Sequence, residues 1–587
     1  MALAILAAGC TSANTASVTT TTYIGVRGGS ISFGMAQIPT GCNPHTTTGN
    51  APATRLILNA VLPSPFVIND NGNPTPNPNV IVQSELISTK PETIVYTLNP
   101  HAVWSDGAPI TAKDFMYAWQ QQRADPTSDP TTVASIAGYR DIKSVVGSDK
   151  GRTVTVKFHT VFADWQMLFS NLLPAHIMKT VGWNPTCISV NPAIDLSGGP
   201  FRISEVSAQA ITLSVNSKWW GPPPNVRRIV IHLASSSEQL ASWMRTGYVQ
   251  VALPSTITPS FLSQVTSLPN AQSQVSLSST VLQLEMANGI TTHLSPDMRF
   301  AISLSVDRQA LVTKQVNWAL GSVQVATSHL YAQGQSGYHG TSLPNPNAIT
   351  SNAPTTSTST STTLIGVGGS VNFPAVPSPT QAAALMTASG YVRTDGSPWH
   401  TAFGVPLTLH IAVDEGDPWA AAIAPLIKAQ LNAAGFAVSL YPVGSAATAG
   451  AVLSNGFADM ALLPRTTSPF LSQSLAWYTT SLGPPGQNGS QDWTNFDNPM
   501  FNTLITTASQ QLNPNTATKD YQAADTQLWG DLVGLPLFTE PSTLVWSRKV
   551  ANITPTPTSD SLLWYAQYWA VRMPENTSST TPNLPGP

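Results

Sequence analysis

The sequence is short of charge. Asp, Glu, Lys and Arg together make up 9% of its 587 residues, against about 25% in an average soluble domain. The formal net charge is −3, so there is no clustered basic field of the kind that nucleic acids and anionic membrane surfaces attract. The composition therefore argues against both as principal partners.

Long hydrophobic runs are also missing, since no stretch of 18 consecutive apolar residues is present to span a bilayer as a helix. The first residues instead form a short apolar run that ends in the small residues 6–9, directly before Cys10, and a Ser/Thr-rich stretch follows at 11–22. This arrangement resembles a bacterial lipobox, which implies acylation of Cys10 and attachment to the membrane by lipid alone. A short buried segment that contains a cysteine is the alternative.

Cysteine is scarce, with three in the whole chain. Setting Cys10 aside leaves Cys42 and Cys187, an even pair in an oxidising compartment, and we predict that they form a disulfide. It would close a long loop, for which the chain-entropy model gives roughly 4 to 5 kcal/mol of stabilisation. Two independently buried thiols are the alternative. Neither cysteine has a Cys or His partner at ligand spacing, so a metal site is not predicted.

The common catalytic motifs are absent too. The sequence has no Gly-x-Ser-x-Gly elbow, no His-Glu-x-x-His metal helix and no Walker loop. Its nearest glycine motif, at 366–371, fails the dinucleotide-binding pattern at the last position. We therefore predict no catalytic residue, no cofactor and no metal, and we keep a hydrolase with an unrecognised site as a remote alternative.

What the chain does contain is length and an alternation of strands and helices. A chain of this length exceeds what one core organises, so two or more lobes are expected. Thr111 and Asp114 form a capping box, Asp417 precedes a helix-starting proline, and Gly435 follows a helix as its stop signal. Ser/Thr-rich segments at 350–363 and 575–587 predict an exposed loop and a disordered tail. The strand candidates are 153–158, 211–215, 228–233, 407–413 and 436–441.

One long segment is characteristic of a known family. Residues 95–115, VYTLNPHAVWSDGAPITAKDF, resemble the hallmark segment of family 5 extracellular solute-binding proteins, the oligopeptide and dipeptide receptors of bacterial ABC importers. The likeness is strongest to actinobacterial members. Shorter matches follow in the family's order at 173–176, 197–202, 216–221, 296–308 and 534–538.

This resemblance implies a fold class. It implies an α/β, two-lobed periplasmic-binding-protein-like fold of type II, with an inserted subdomain and a central ligand cleft. Lobe I is then expected from 23–62, 189–275 and 525–574, the inserted subdomain from 63–188, and lobe II from 276–524. Trp104, with the Asp-Gly turn that follows it, is expected to be structural. Trp219 and Trp220 are either structural aromatics or sugar-stacking platforms.

The resemblance also implies a function. A receptor of this family holds a peptide or other small solute between its lobes, partly through backbone hydrogen bonds like those of an added strand. Closure of the lobes about a hinge buries the ligand. The implied partners are the permease subunits of an ABC importer, and the implied location is the extracytoplasmic face of the bacterial membrane, as a monomer. The ligand-contacting residues carried over are Ala252, Leu253 and Pro254 on the strand leaving lobe I, and Leu284, Met286 and Asn288 on the facing strand of lobe II.

One departure from the family pattern bears on the ligand. Peptide receptors carry an aspartate in lobe II that pairs with the peptide's ammonium group, but no carboxylate lies between Asp459 and Pro469 here. Arg465 occupies the expected anchor position, with Ser468 beside it, and a guanidinium cannot pair with an ammonium group. Arg465 could receive a carboxylate or phosphate, or it could be a solvated surface residue. The alternative function is therefore a binding lipoprotein that acts in cell-envelope glycolipid assembly.

Overall fold

The structure is a computed structural model. It describes residues 23–37, 39–41, 43–69, 72–123, 133–183, 197–289, 294–321, 323–339, 377–394, 396–479, 490–556 and 559–574. Cys10, Cys42, Cys187 and the loop at 350–363 lie outside the described residues, so the lipid anchor, the disulfide and the exposed loop stay predictions. In the part of the chain that is described, no helix is both long and apolar enough to cross a membrane.

The strands, numbered in chain order, are β1 Tyr23–Val26, β2 Ser30–Met35, β3 Phe66–Ile68, β4 Pro74–Pro76, β5 Ile81–Thr89, β6 Glu92–Leu98, β7 Ile142–Ser148, β8 Thr153–Phe158, β9 Phe201–Val206, β10 Ala210–Val215, β11 Arg228–Leu233, β12 Val251–Leu253, β13 Ala271–Met286, β14 Tyr391–Val392, β15 His400–Thr401, β16 Thr408–Asp414, β17 Ala437–Val443, β18 Met460–Thr466, β19 Gly534–Ser547, β20 Val550–Ala551 and β21 Ala570–Pro574.

The α-helices are α1 Pro52–Leu58, α2 Ala112–Gln122, α3 Ala175–Val181, α4 Ser237–Thr246, α5 Pro259–Thr266, α6 Pro296–Ser305, α7 Arg308–Gln315, α8 Asn317–Leu320, α9 Pro379–Ala388, α10 Pro418–Ala433, α11 Ala446–Ser454, α12 Leu475–Tyr478, α13 Pro499–Ser509 and α14 Pro514–Asp531. Short 3-10 helices lie at Tyr139–Asp141, Asp149–Gly151, Trp165–Met167, Leu471–Ser474 and Ser559–Tyr568.

A mixed sheet of ten strands runs through the molecule in the order β17-β16-β18-β13-β19-β12-β2-β11-β10-β9. β2 is parallel to β11 and β12, and β16 is parallel to β17 and β18. Parallel strands joined through helices are the mark of α/β folds, so the predicted class is confirmed. We refer to the half with β2 and β9–β12 as lobe I, and to the half with β16–β18 as lobe II.

The inserted subdomain is built on an antiparallel sheet of order β5-β6-β8-β7. Helix α2 packs on this sheet, and its N-terminus carries the predicted capping box, in which Thr111 and Asp114 satisfy each other's backbone N–H groups. Trp104 is fully buried, and the backbone N–H of Gly107 (φ +91°) donates to its carbonyl. A buried side chain of this size contributes about 3 kcal/mol. The structural reading of the Trp-Ser-Asp-Gly turn is therefore confirmed.

Lobe II has its main apolar core on one face of the sheet. Leu282, Leu284 and Met286 of β13 alternate toward this core, where helices α6, α7 and α10 cover them. Trp529 and Leu535 belong to the same core. The last turns of α14 and the start of β19 therefore pack on lobe II, and the predicted return to lobe I at 525 stays a prediction.

Candidate functional site

Two long strands connect the lobes. β13 and β19 pair antiparallel in two separate stretches: Ala271 to Leu277 pair in lobe I, and Val281 to Glu285 pair in lobe II. Between the two stretches, residues 278–280 of β13 face the single residue Glu540 of β19. A bulge of this kind interrupts the ladder and bends it locally. The position of the bulge between two separately paired stretches defines a hinge.

Glu540 lies at this hinge. Its side chain is half-buried, and its Oε1 atom is sealed from solvent with no hydrogen-bond partner among the described residues. Burial raises the pKa of this carboxyl well above its usual range, and the nearby charge of Asp417 adds to the effect. A carboxyl in this environment favours its neutral, protonated form.

Away from the hinge, the inserted subdomain touches lobe II directly. The backbone N–H of Ser472 donates to Oδ2 of Asp164 at 2.8 Å, and the N–H of Ala163 donates to the carbonyl of Ser509 at 2.9 Å. Val133 and Ile136 pack against Ala476 of lobe II. We call this set the interlobe contact. It joins the inserted subdomain to lobe II through residues far in sequence from the bulge of β13 and β19.

The interlobe contact also encloses buried polar groups. Burial raises the pKa of Asp164, although the hydrogen bonds from Ser472 lower it. A cavity of about 50 Å³ lies alongside, lined by Gly138 and Phe162 of the subdomain and by Gln510 of lobe II, among others. A cavity of this volume holds a few water molecules, not a peptide. The space beside the interlobe contact is therefore too small for a peptide.

A buried ion pair lies in the interior of lobe II. Arg465 on β18 is 2% exposed and Glu285 on β13 is 0% exposed. Arg465 donates through Nε to Oε1 of Glu285 at 2.5 Å and through Nη2 to Oε2 at 2.7 Å, the two-pronged geometry that guanidinium and carboxylate favour. Burial acts to lower the pKa of Arg465, but the charge of Glu285 outweighs it and the pKa is raised. Both charges are therefore neutralised within the protein.

Neighbouring side chains extend this pair into a network. The hydroxyl of Tyr478 donates to Oε1 of Gln283 at 3.0 Å, and its ring lies 5.7 Å from the Arg465 guanidinium. Asp492 accepts hydrogen bonds from Thr494 and from the N–H of Phe496. Burial, together with the charge of Glu285, raises the pKa of Asp492 to about 7.

The two ligand-contacting strands predicted from the sequence do not face each other across a cleft. They lie in one sheet with β19 between them, because β19 pairs with β12 on one side and with β13 on the other. β12 also pairs with β2, and β13 also pairs with β18. All of these strands are interior, so none of them offers a free edge for an added peptide strand. The expectation that the two strands face each other is therefore wrong, while the ligand contacts themselves stay a prediction.

The individual residues follow the same pattern. Ala252, Leu284 and Met286 have 0% exposure, Pro254 is buried and Leu253 is half-buried in the lobe I core. The side-chain amide of Asn288 donates a hydrogen bond to the carbonyl of Asp531 at 3.3 Å.

The two polar residues predicted near the anchor position are also engaged. The hydroxyl of Ser468 bonds locally with the backbone of Phe470. Arg465 is not a solvated surface residue, because it is 2% exposed and pairs with Glu285 through Nε and Nη2. Its role as a ligand contact stays a prediction.

Several residues of this region were missed from the sequence. Glu285 had a visible signal, because Gln283 and Glu285 alternate with Leu and Met in the last part of β13, which indicates a polar layer opposite the core. Asp164, Ser472 and Glu540 had none, since their positions depend on how the two lobes meet. In the described part of the chain, no group of three or more His, Cys, Asp or Glu is placed to hold a metal ion.

Two strands, β13 and β19, therefore connect two lobes that also meet directly through the inserted subdomain. The sequence model of the family described as bacterial extracellular solute-binding proteins, family 5, matches residues 75–487. The chain belongs to this family.

Two relatives illustrate its range. A protein of Mycobacterium tuberculosis, named probable monoacyl phosphatidylinositol tetramannoside-binding protein LpqW, is 29% identical over 425 residues, which cover 70% of this chain and 64% of the relative. The chain thus spans a little under two thirds of that relative. The oligopeptide-binding protein OppA of Mycobacterium bovis is 30% identical over 220 residues, 36% of each chain.

Solved structures support the fold. The periplasmic EDTA-binding protein EppA superposes with a TM-score of 0.80 at 22% identity, covering 95% of this chain and 99% of that one. The oligopeptide-binding protein AppA of Bacillus subtilis, in complex with a nonapeptide, gives 0.72 at 15% identity, covering 93% and 100%. At these identities the likeness concerns the fold alone.

Proposed function

We propose that this protein is an extracytoplasmic receptor that captures a solute by closing its two lobes and presents it to the permease of an ABC importer. One observation carries the proposal: β13 and β19 cross between the lobes at a bulge, and Asp164 meets Ser472 at the interlobe contact. A ligand shifts the protein toward the closed state only when it binds that state more tightly than the open state. The lipid anchor at Cys10 would keep the receptor beside the permease.

Peptides and peptide-like solutes are the first ligand class. The family membership and the OppA relative support this choice. Against a free peptide stands the region around Arg465, because Glu285, the carboxylate that bonds to Arg465, is already paired. A peptide's ammonium group would need a partner elsewhere between the lobes.

A second candidate is favoured by the same observation. An anchor position with no available carboxylate suits a ligand that has no ammonium group, such as the polyol head of a glycolipid. The relative LpqW, named for binding a mannosylated phosphatidylinositol, supports this class over a longer alignment. In this case the receptor would act in assembly of the cell envelope and not in uptake.

Native mass spectrometry of the chain starting after Cys10, purified from its own host, separates these candidates. A ladder of copurified short peptides supports the importer, whereas a single glycolipid supports the envelope function. The variant Asp164→Ala should lose the copurified ligand, because it removes the acceptor that holds the lobes together. Glu205→Ala, which removes an exposed carboxylate of β9, is the matched control and should retain the ligand. A ligand that stays equally bound to both variants would refute capture by closure.

A further inference from the structure

A second cavity lies within lobe I, away from the interlobe contact. Its volume is about 190 Å³, and it shares no lining residue with the cavity between the lobes. Its walls are the base of the inserted subdomain, the turn at 198–200, Trp219 and the 3-10 helix Ser559–Tyr568. Neither the family membership nor the proposed function assigns it a role.

The chemistry of its lining is unusual for a structural void. Four aromatic residues and four side-chain amides line it, with no Asp, Glu, Lys, Arg or His among the described lining residues. Empty cavities in protein interiors are apolar, whereas a polar cavity of this size is occupied by water or by a ligand. The lining residues in question are Trp219, Trp564, Tyr565, Tyr568, Asn59, Asn77, Asn79 and Gln567.

Trp219 is held firmly in this wall. Its indole N–H donates to the carbonyl of Pro222 at 2.9 Å, and its ring packs on Trp220 at 4.7 Å between centroids. Trp220 in turn donates to the carbonyl of Asn79 at 2.6 Å. A Cβ at Gly221 would lie 2.5 Å from both Trp219 and the Asn79 side chain, so only glycine fits there. The ring is therefore positioned before any ligand arrives.

Two polar side chains of the lining are left unsatisfied. Gln567 is 5% exposed, yet its side-chain amide makes no hydrogen bond with any described residue. The indole N–H of Trp564 is buried and likewise has no acceptor in the described part of the chain. By contrast, the amide of Asn77 is fully engaged, accepting from Asn79 and donating to Ser64. A ligand that bonds to the indole N–H of Trp564 and to the Gln567 amide would satisfy two groups that have no partner among the described residues.

We propose that this cavity binds one uncharged sugar unit. The C–H faces of a pyranose ring pack against the electron-rich faces of aromatic side chains, and its hydroxyls both donate to and accept from amides. The absence of charge in the lining disfavours phosphates, carboxylates and peptide termini. The volume, below the 300 Å³ or more of sites for drug-sized ligands, fits a single ring. Binding of a sugar in this lobe I cavity does not depend on which ligand lies between the lobes.

The test is a titration of the chain that starts after Cys10, followed by tryptophan fluorescence and saturation-transfer NMR. The probes are methyl α-D-mannopyranoside, methyl β-D-glucopyranoside and methyl β-D-galactopyranoside, with adenosine as a planar neutral competitor. We expect saturable, millimolar binding of at least one glycoside. Binding of adenosine in preference to all three glycosides, or no saturable binding of any glycoside, would overturn the assignment.

The variant Gln567→Leu gives the sharpest result. Because the amide has no protein partner, the change should leave the melting temperature unchanged while weakening glycoside binding about three- to tenfold. Trp219→Leu should weaken it about tenfold or more, and Trp243→Leu, an aromatic of lobe I outside the cavity, should have no effect. Wild-type affinity in Gln567→Leu refutes the proposal even if Trp219→Leu fails to fold.

Discussion

The paired charges of Arg465 and Glu285 allow a direct test of whether Arg465 is structural. Replacing Arg465 by Met leaves a carboxylate that is 0% exposed without its two hydrogen bonds at 2.5 and 2.7 Å. Removing one partner of a buried ion pair costs about 3 to 5 kcal/mol. For a unit of the size of lobe II this lowers the melting temperature by roughly 6 to 20 °C. Scanning calorimetry of the ligand-free protein measures it.

Two further variants make the result specific. Lys314→Met removes an exposed cation from α7 of the same lobe and should change stability by no more than about 0.5 kcal/mol. The double variant Glu285→Gln with Arg465→Met should be more stable than Arg465→Met alone, because the stranded charge is gone. If Arg465→Met melts like the wild type, or if the double variant recovers nothing, Arg465 does not stabilise lobe II and its role as a ligand anchor reopens.

Three more predictions follow from the structure and the sequence. Burial raises the pKa of Asp492 from 3.8 to about 7, so between these values the folded state holds a proton that the unfolded chain has lost. The free energy of unfolding should therefore fall by up to about 4 kcal/mol as the pH rises from about 4 to 7. Urea titrations of the wild type should show this decline, and those of Asp492→Asn should lack it. Asp164→Ala should increase the radius of gyration of the ligand-free protein in X-ray scattering, whereas Glu205→Ala should not. Intact mass after denaturing alkylation should show Cys42 and Cys187 modified only when a reductant is added, and modification without reductant would exclude the disulfide.

Local signals in the sequence predicted much of the fold. The strands at 153–158 and 228–233 have the predicted bounds. The capping box at Thr111 was also correct, and so was the helix stop at Gly435, whose φ is +95°. Each of these features depends on residues within one or two turns of one another, so the sequence contains the whole cause.

The site could not be predicted in the same way. β13 begins at Ala271, but its first half is rich in Ser and Gln and reads as a loop, because that half pairs with β19 at an exposed part of the sheet. The insertion of β19 between β12 and β13 joins residues more than 250 positions apart, and no local pattern reports such a pairing. The partner of Arg465 was missed for the same reason, since Glu285 lies 180 residues away.

The placement of β19 also sets the order in which the molecule can be completed. Among the described residues, the second half of β19 joins β12 to the lobe I half of β13, and β1 pairs with β21. During synthesis, or during export of an unfolded chain, lobe I must therefore wait for segments that arrive last, while β16, β17 and β18 of lobe II are already present. A chain interrupted before residue 541 would lack the lobe I half of β19, and so would leave β12 and β13 unjoined.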